Sequence, residues 1–193
     1  HPSDENWSNI SLPWMAFGYG VYLTPIQILT FYNAVANNGE MVKPKFVNKI
    51  SSIGNKPIHE IEREVIMPSI CSQKTLDVVR EMLENIVQKP WGTANRIHND
   101  YVKIAGKTGT SQTKYWSVGD EPINVQYIAS FVGYFPSDKP KYTGIVVIHE
   151  PKKSKGYYGG TVAAPVFKRI AQKIQSLSPT IVEINKKDID NLF

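Results

Sequence analysis

Ala105-Gly106-Lys107-Thr108-Gly109-Thr110-Ser111 decides how this chain is read. One lysine stands between two glycines, and three hydroxyl-bearing residues follow it within four positions. Upstream, the alternation of Tyr101-Val102-Lys103-Ile104 predicts a strand. A cation and hydroxyls on a strand, with glycines leaving room for a ligand to reach the backbone, make a seat for a carboxylate. Charge-assisted hydrogen bonds of this kind contribute roughly 1.5–3 kcal/mol each, enough to fix a ligand's orientation. Two other readings fit the same residues. Gly106-Lys107-Thr108 looks like the end of a phosphate-binding loop, but that loop needs a glycine five positions before Gly106, where Tyr101 stands. It also needs a helix behind it, whereas Gln112 to Pro122 is polar and interrupted by Gly119. A glycine-rich strand with a bulge asks for nothing further, and the Lys-Thr-Gly triplet alone does not exclude it.

The surroundings are more specific. Phe17-Gly18-Tyr19-Gly20 runs into Leu23-Thr24-Pro25-Ile26-Gln27 and then Ala36-Asn37-Asn38-Gly39. Gly92-Thr93 precedes Lys107, and Phe131-Val132-Gly133-Tyr134-Phe135-Pro136 and Val146-Val147-Ile148 follow it. Tyr157-Tyr158-Gly159-Gly160-Thr161-Val162-Ala163-Ala164-Pro165-Val166-Phe167 closes the series. In this order the segments resemble the C-terminal half of the transpeptidase domain of class B penicillin-binding proteins, the monofunctional cell-division and elongation type. The resemblance covers residues 1–178, leaving 179–193 as a polar C-terminal tail. Lys107-Thr108-Gly109 then matches the Lys-Thr-Gly element of penicillin-binding proteins and serine β-lactamases.

Composition is compatible with such a domain without pointing to it. The chain has 193 residues, 41% of them hydrophobic, with a net charge of +5. That is one domain's worth of chain, long enough to bury a core. Lys152-Lys153-Ser154-Lys155 and Lys186-Lys187 are short and read as solvated loops, so no nucleic-acid partner is expected. The mild positive bias would suit an anionic cell-wall polymer. A single cysteine, Cys71, excludes an internal disulfide. No apolar run of about 18 residues exists to cross a membrane. His1-Pro2-Ser3-Asp4 lacks the pattern of a signal peptide and reads as a cut end.

The local patterns predict an α+β layout of helices flanking an antiparallel sheet. Thr24 caps a helix with Pro25 in its first turn, Ile28, Leu29, Tyr32 and Val35 at helical spacing, and Gly39 as its stop. Met41–Ile50 and Ile58–Met67 read as extended segments joined by a Gly54-Asn55 turn. Ser72 caps a second helix with Leu76, Val79, Leu83, Ile86 and Val87 as its buried stripe and Pro90 beyond its end. Strands follow near 102–113, 126–135 and 142–150, with links too short for helical crossovers. Ala164–Leu177 closes the domain as a helix with Val166, Ile170, Ile174 and Leu177 on its apolar face.

The resemblance implies acyl transfer. In this family a serine in a Ser-x-x-Lys motif attacks the carbonyl between two D-alanines of a peptidoglycan stem peptide, and an amine from a neighbouring strand takes the acyl group. β-Lactams mimic the D-Ala-D-Ala end. Carried onto this chain, Lys107 would organise proton transfer and the field around the substrate carboxylate. Thr108 and Thr110 would bind that carboxylate beside Gly109. The Thr110 N–H would be one oxyanion-hole donor. Tyr157, Tyr158 and Gly159, continued by Gly160, would wall the pocket, and 113–125 would border the cleft. The resemblance further implies an extracytoplasmic location at the bacterial inner membrane, an anchor N-terminal to this chain, and division- or elongation-complex partners. No cofactor or metal is implied.

The remaining machinery is not found. The one literal Ser-x-x-Lys is Ser111-Gln112-Thr113-Lys114, and positions i and i+3 of a strand point to opposite faces. No Ser-x-Asn or Tyr-x-Asn occurs. Both missing motifs are therefore expected N-terminal to His1, and the chain alone is expected to be inactive. A non-catalytic penicillin-recognising or scaffold module is the alternative of a different class. His59, His98 and His149 share no metal-ligand spacing. Asp77, Glu81 and Glu84 read as solvated. Trp14 and Trp91 read as packing residues, and Trp116 as a candidate sugar platform. Apolar surface left by absent elements predicts self-association through the face bearing Lys107 and Thr110.

Overall fold

The structure is a computed structural model and describes residues 3, 5, 7–54, 56–113 and 125–177. A short helix, α1 (Ser11–Ala16), precedes α2 (Pro25–Ala36). Thr24 starts α2 with a capping box: its hydroxyl accepts from the Gln27 N–H, and the Gln27 side chain accepts from the Thr24 N–H. Asn38 and Gly39, at φ +54° and +85°, turn the chain out of the helix. The extended stretch that follows is broken into β1 (Met41–Val42), β2 (Lys49–Ser51), β3 (Pro57–Glu60) and β4 (Val65–Met67). β1 pairs with β4 and β2 with β3, both antiparallel, so the segment is an interrupted hairpin arm turning at Gly54. Asn55 lies outside the described residues.

α3 (Gln73–Gln88) begins at Ser72, whose hydroxyl accepts from the Thr75 N–H. Its stripe Leu76, Leu83 and Val87 is buried, with Val79 and Ile86 half-buried. Then come β5 (Ala105–Thr113), β6 (Gln126–Phe135) and β7 (Tyr142–His149), an antiparallel sheet in the order β5-β6-β7. The four-residue α4 (Gly159–Val162) and α5 (Ala164–Leu177) complete the described chain.

Strand alternation gives this sheet two faces. Ala105, Lys107, Gly109 and Ser111 share one face with their partners Tyr134, Val132, Ser130 and Ile128. On that face α2 and α3 pack Val35, Leu76 and Leu83 around Ala105 and Tyr134. Gly106, Thr108 and Thr110 share the other face with Gly133, Phe131 and Ala129. There α4 and α5 close a second core in which the Phe131 and Phe167 rings meet edge to face at 4.9 Å. Each fully buried side chain of this size contributes roughly 1.5–3 kcal/mol.

Several expectations are corrected by this packing. Residues 101–104 are not a strand: Val102 and Ile104 are buried as alternation implies, but Asn99 Oδ1 accepts the N–H groups of Tyr101 and Val102 and holds a turn until Ala105. On α5 the buried residues are Ala164, Phe167 and Ala171, whereas Ile170 and Leu177 are 47% and 70% exposed. Trp91 packs on little, being 71% exposed. Glu84 is half-buried rather than solvated. Lys107 and Thr110 lie on opposite faces, so no one face carries both. Exposed apolar surface concentrates instead around α1 and the start of α2, where Phe17 and Tyr22 are 83% and 98% exposed. Trp116, the cleft segment 114–124 and the tail 179–193 lie outside the described residues.

Arg80 ties α3 to the C-terminus of α2. Its guanidinium donates to the carbonyls of Val35 (2.8 Å) and Ala36 (2.9 Å) and to Asn38 Oδ1 (3.1 Å). It thereby satisfies carbonyls that the helix end leaves without intrahelical partners. We expect Arg80→Ala to lower stability by about 1.5–3 kcal/mol, read as a shifted urea midpoint at unchanged slope. Nearby, burial pushes the Tyr134 hydroxyl up to about 12, with Arg80 opposing the rise and Glu84 adding to it. Folded Tyr134 thus keeps its proton above pH 10, where the unfolded chain loses it. Its contribution is complete below about pH 10 and is lost as pH climbs toward 12. Tyr134→Phe is expected to flatten the fall in stability over that window, and an unchanged slope would count against the assignment.

Candidate functional site

β5 is the outer strand of its sheet, so one of its edges has no strand partner among the described residues. Which backbone groups face that edge follows from the pairing. A Cβ built on Gly106 would fall 2.9 Å from Gly133 Cα, and one on Gly133 would fall 3.0 Å from Gly106 Cα. So close an approach marks a narrow, non-hydrogen-bonded pair, whose N–H and C=O groups point away from the partner strand. The Thr108 carbonyl agrees, since it accepts the Lys107 ammonium at 2.7 Å. By alternation the N–H groups of Thr108 and Thr110 also face the open edge.

The side chains divide between the two faces. Lys107 is exposed on the α2–α3 face and folds along the edge to its own neighbour's carbonyl. The Thr110 hydroxyl is held on the other face, where it accepts the N–H of Gly159 at 3.0 Å. The Thr108 and Thr93 hydroxyls hydrogen-bond at 3.0 Å on that same face. Gly159 is buried against the sheet, and a Cβ there would collide with the backbone of Gly109 and Ser130. A Cβ on Gly160 would likewise meet the Thr93 carbonyl. Gly159 thus lets the start of α4 lie directly on β5 and β6, and Gly160 lets it lie against Thr93.

Gly106 and Gly109 have a different role from the one their spacing implies. A Cβ on Gly106 would strike the Val132 carbonyl and the Phe131 ring, and one on Gly109 would strike Ser130 Oγ. The space both glycines leave is taken by β6, not held open for a ligand.

An aromatic wall stands beside the edge. The Tyr157 ring stacks on Tyr127 at 4.0 Å and lies 4.4 Å from the Tyr158 ring. The Tyr157 hydroxyl donates to the Tyr158 hydroxyl at 3.1 Å. Lys153 Nζ sits 5.8 Å from the Tyr127 ring centre. Tyr127 and Ser130 were not legible as site residues, because only the β5–β6 register brings them here. Thr93 stands out in the sequence only as part of a Gly-Thr pair. Ser111 lies on the Lys107 face, four positions along β5, or about 13 Å at 3.3 Å per residue. Lys114 is outside the described residues.

The arrangement can receive an extended chain along the edge. Outward N–H groups would bind its carbonyl or carboxylate oxygens, a lysine would supply charge, and tyrosines would cover its apolar part.

Comparison with known proteins gives the lineage. Residues 2–172 match the penicillin binding protein transpeptidase domain. The chain is 33% identical over 170 residues to the peptidoglycan D,D-transpeptidase FtsI of Buchnera aphidicola, covering 88% of this chain and 27% of that protein. Penicillin-binding protein 3 of Mycobacterium tuberculosis, solved in complex with aztreonam, superposes with a TM-score of 0.73 at 28% identity, over 89% of this chain and 39% of that one. Penicillin-binding protein 2B of Streptococcus pneumoniae, at 22% identity, shares the fold with a TM-score of 0.74 over 93% of this chain and 29% of its own. The chain thus spans well under half the length of these relatives.

The Gly159–Thr110 contact is open to test. Gly159→Ala and Thr110→Val are each expected to cost about 1–3 kcal/mol, the first by collision and the second by leaving the Gly159 N–H unpaired. Because both break one contact, the double variant should cost clearly less than the sum. Full additivity in denaturant melts would show that the positions are uncoupled.

Proposed function

From a chain that belongs to the penicillin binding protein transpeptidase domain family, on its class B side, we propose that the β5 edge is the substrate-binding edge of a serine D,D-transpeptidase. In this reading the whole enzyme cross-links peptidoglycan stem peptides by acyl transfer and is acylated by β-lactams. The observation that carries it is the outward parity of Thr108 and Thr110 on the open edge of β5, next to Lys107. A D-Ala-D-Ala terminus lying along this edge would meet the Thr110 N–H as its scissile carbonyl becomes an oxyanion. Its terminal carboxylate would meet the Lys107 charge and the threonine hydroxyls. Lys107 also supplies a group for proton transfer, and Tyr157 and Tyr158 shield the site from water.

The nucleophile comes from a Ser-x-x-Lys motif that this chain does not hold at a helix start. The place of work is the extracytoplasmic side of the bacterial inner membrane, within a division or elongation complex. Among the described residues no helix is long and apolar enough to cross a membrane.

Two measurements test the proposal. Incubated alone with penicillin, this chain is expected to show no stable mass increase, and a stoichiometric adduct on Ser111 would overturn the assignment. Joined to the Ser-x-x-Lys and Ser-x-Asn motifs, the Lys107→Ala variant is expected to lose about 10²–10⁴-fold in acylation rate by fluorescent penicillin. Its melting temperature should stay nearly unchanged. A loss of stability like that of a core Leu→Ala truncation, roughly 2–5 kcal/mol, would assign the lysine to the fold.

A further inference from the structure

Away from the β5 edge, a cavity of about 390 Å³ lies between α2 and the base of the hairpin arm. Ile26 and Leu29 of α2 form one wall, and Val42 and Pro44 the other. Asn33, which also lines the cavity, donates from Nδ2 to Thr143 Oγ1 at 3.3 Å and ties α2 to β7. Ile26, Leu29, Val42 and Pro44 make these walls apolar, and the cavity is in the size range of side-chain and ligand pockets.

Three basic side chains line the cavity, one of them without an acidic partner among the described residues. They are Lys43, Lys45 and Arg63, and no aspartate or glutamate joins them. Lys43 is paired with Glu64 at 2.8 Å, and Arg63 with Glu40. Lys45 differs: it donates to the Ile61 carbonyl at 3.0 Å and has no acidic partner among the described residues. It is exposed, so its charge is available to an incoming carboxylate.

The cavity is open to solvent. A free small molecule would leave much of its surface wet there, whereas a side chain of a peptide would be roofed by its own backbone. Directly after Lys45 the chain leaves the cavity through Phe46 and Val47, both exposed, which extends the apolar surface along the arm.

We propose that this cavity docks an acidic peptide segment of a partner protein. One apolar side chain enters between Ile26, Leu29, Val42 and Pro44, and a neighbouring carboxylate pairs with Lys45. The apolar part supplies most of the binding and the lysine selects against cationic segments. The site is separate from the β5 edge, and its occupancy does not depend on peptidoglycan chemistry.

The test is an amide NMR titration of this chain with three synthetic peptides. They are Ac-Glu-Leu-Glu-Phe-Glu-NH2, the same sequence with Lys for Glu, and the same sequence with Ser for Leu and Phe. Only the first is expected to give saturable shifts at Leu29, Asn33, Val42 and Lys45. Lys45→Glu should raise its Kd about tenfold or more, and Lys45→Arg should leave it near the original. Both variants alter an exposed side chain, and unchanged resonances elsewhere establish that they fold. Equal shifts with the cationic or the serine peptide would overturn the proposal, as would a Kd indifferent to Lys45→Glu or no saturable shift at these amides. Binding of 2-naphthoate as tightly as the first peptide would assign the cavity to a free small acid instead and equally overturn it.

Discussion

The close approach of β5 to β6 at Gly106 and Gly133 is the constraint on which the site depends. Neither position has room for a Cβ: the carbonyls of Val132 and Ala105 and the Phe131 ring occupy the space. Drawing the strands together there makes Gly106–Gly133 a narrow pair. Every second residue along β5 then turns its N–H and C=O outward, which puts Thr108 and Thr110 on the open edge. The Phe131 ring takes the space over Gly106 and meets Phe167 edge to face, which links β5 to the packing of α5.

An edge strand invites indiscriminate pairing unless something restricts it. Here the restriction is also the support. Lys107 places a charge on one side of the edge, and the start of α4 lies on the other through Gly159. Thr110 and Thr93 each spend a hydroxyl on holding this arrangement, and the stacked Tyr127, Tyr157 and Tyr158 close its end. With a core on both faces of the sheet, the edge cannot twist without disturbing one of them. A binding edge held this way keeps its donors in place before the ligand arrives.

The helices were legible in the sequence because their signals are local. Thr24-Pro25 and Ser72 mark starts, and the last helix begins where its pattern does, at Ala164. Which side of that helix is buried was not legible. Val166, Ile170, Ile174 and Leu177 repeat at helical spacing, but so do Ala164, Phe167 and Ala171. The sheet buries the second set and takes Ile174 of the first against the same core. Gly144 leaves a hollow on β7, where a Cβ would sit 3.0 Å from the Phe167 ring, and no hollow of that kind receives Ile170. The false strand at 101–104 has a similar origin: burial of Val102 and Ile104 satisfies the alternation, while Asn99 takes the N–H groups a ladder would need.

Sequence by itself therefore determined the α+β layout, the helix caps, the strand that carries Lys107, Thr108 and Thr110, and the family to which the chain belongs. Each depends on neighbouring residues or on motifs in a set order. Tertiary structure alone decided that Lys107 and Thr110 lie on opposite faces, that Thr110 anchors Gly159, and that Tyr127 joins the wall. Those facts depend on register between strands and on turns packed across them. Register is fixed by which side chains and glycines meet far apart in the chain, a choice no local window of sequence contains.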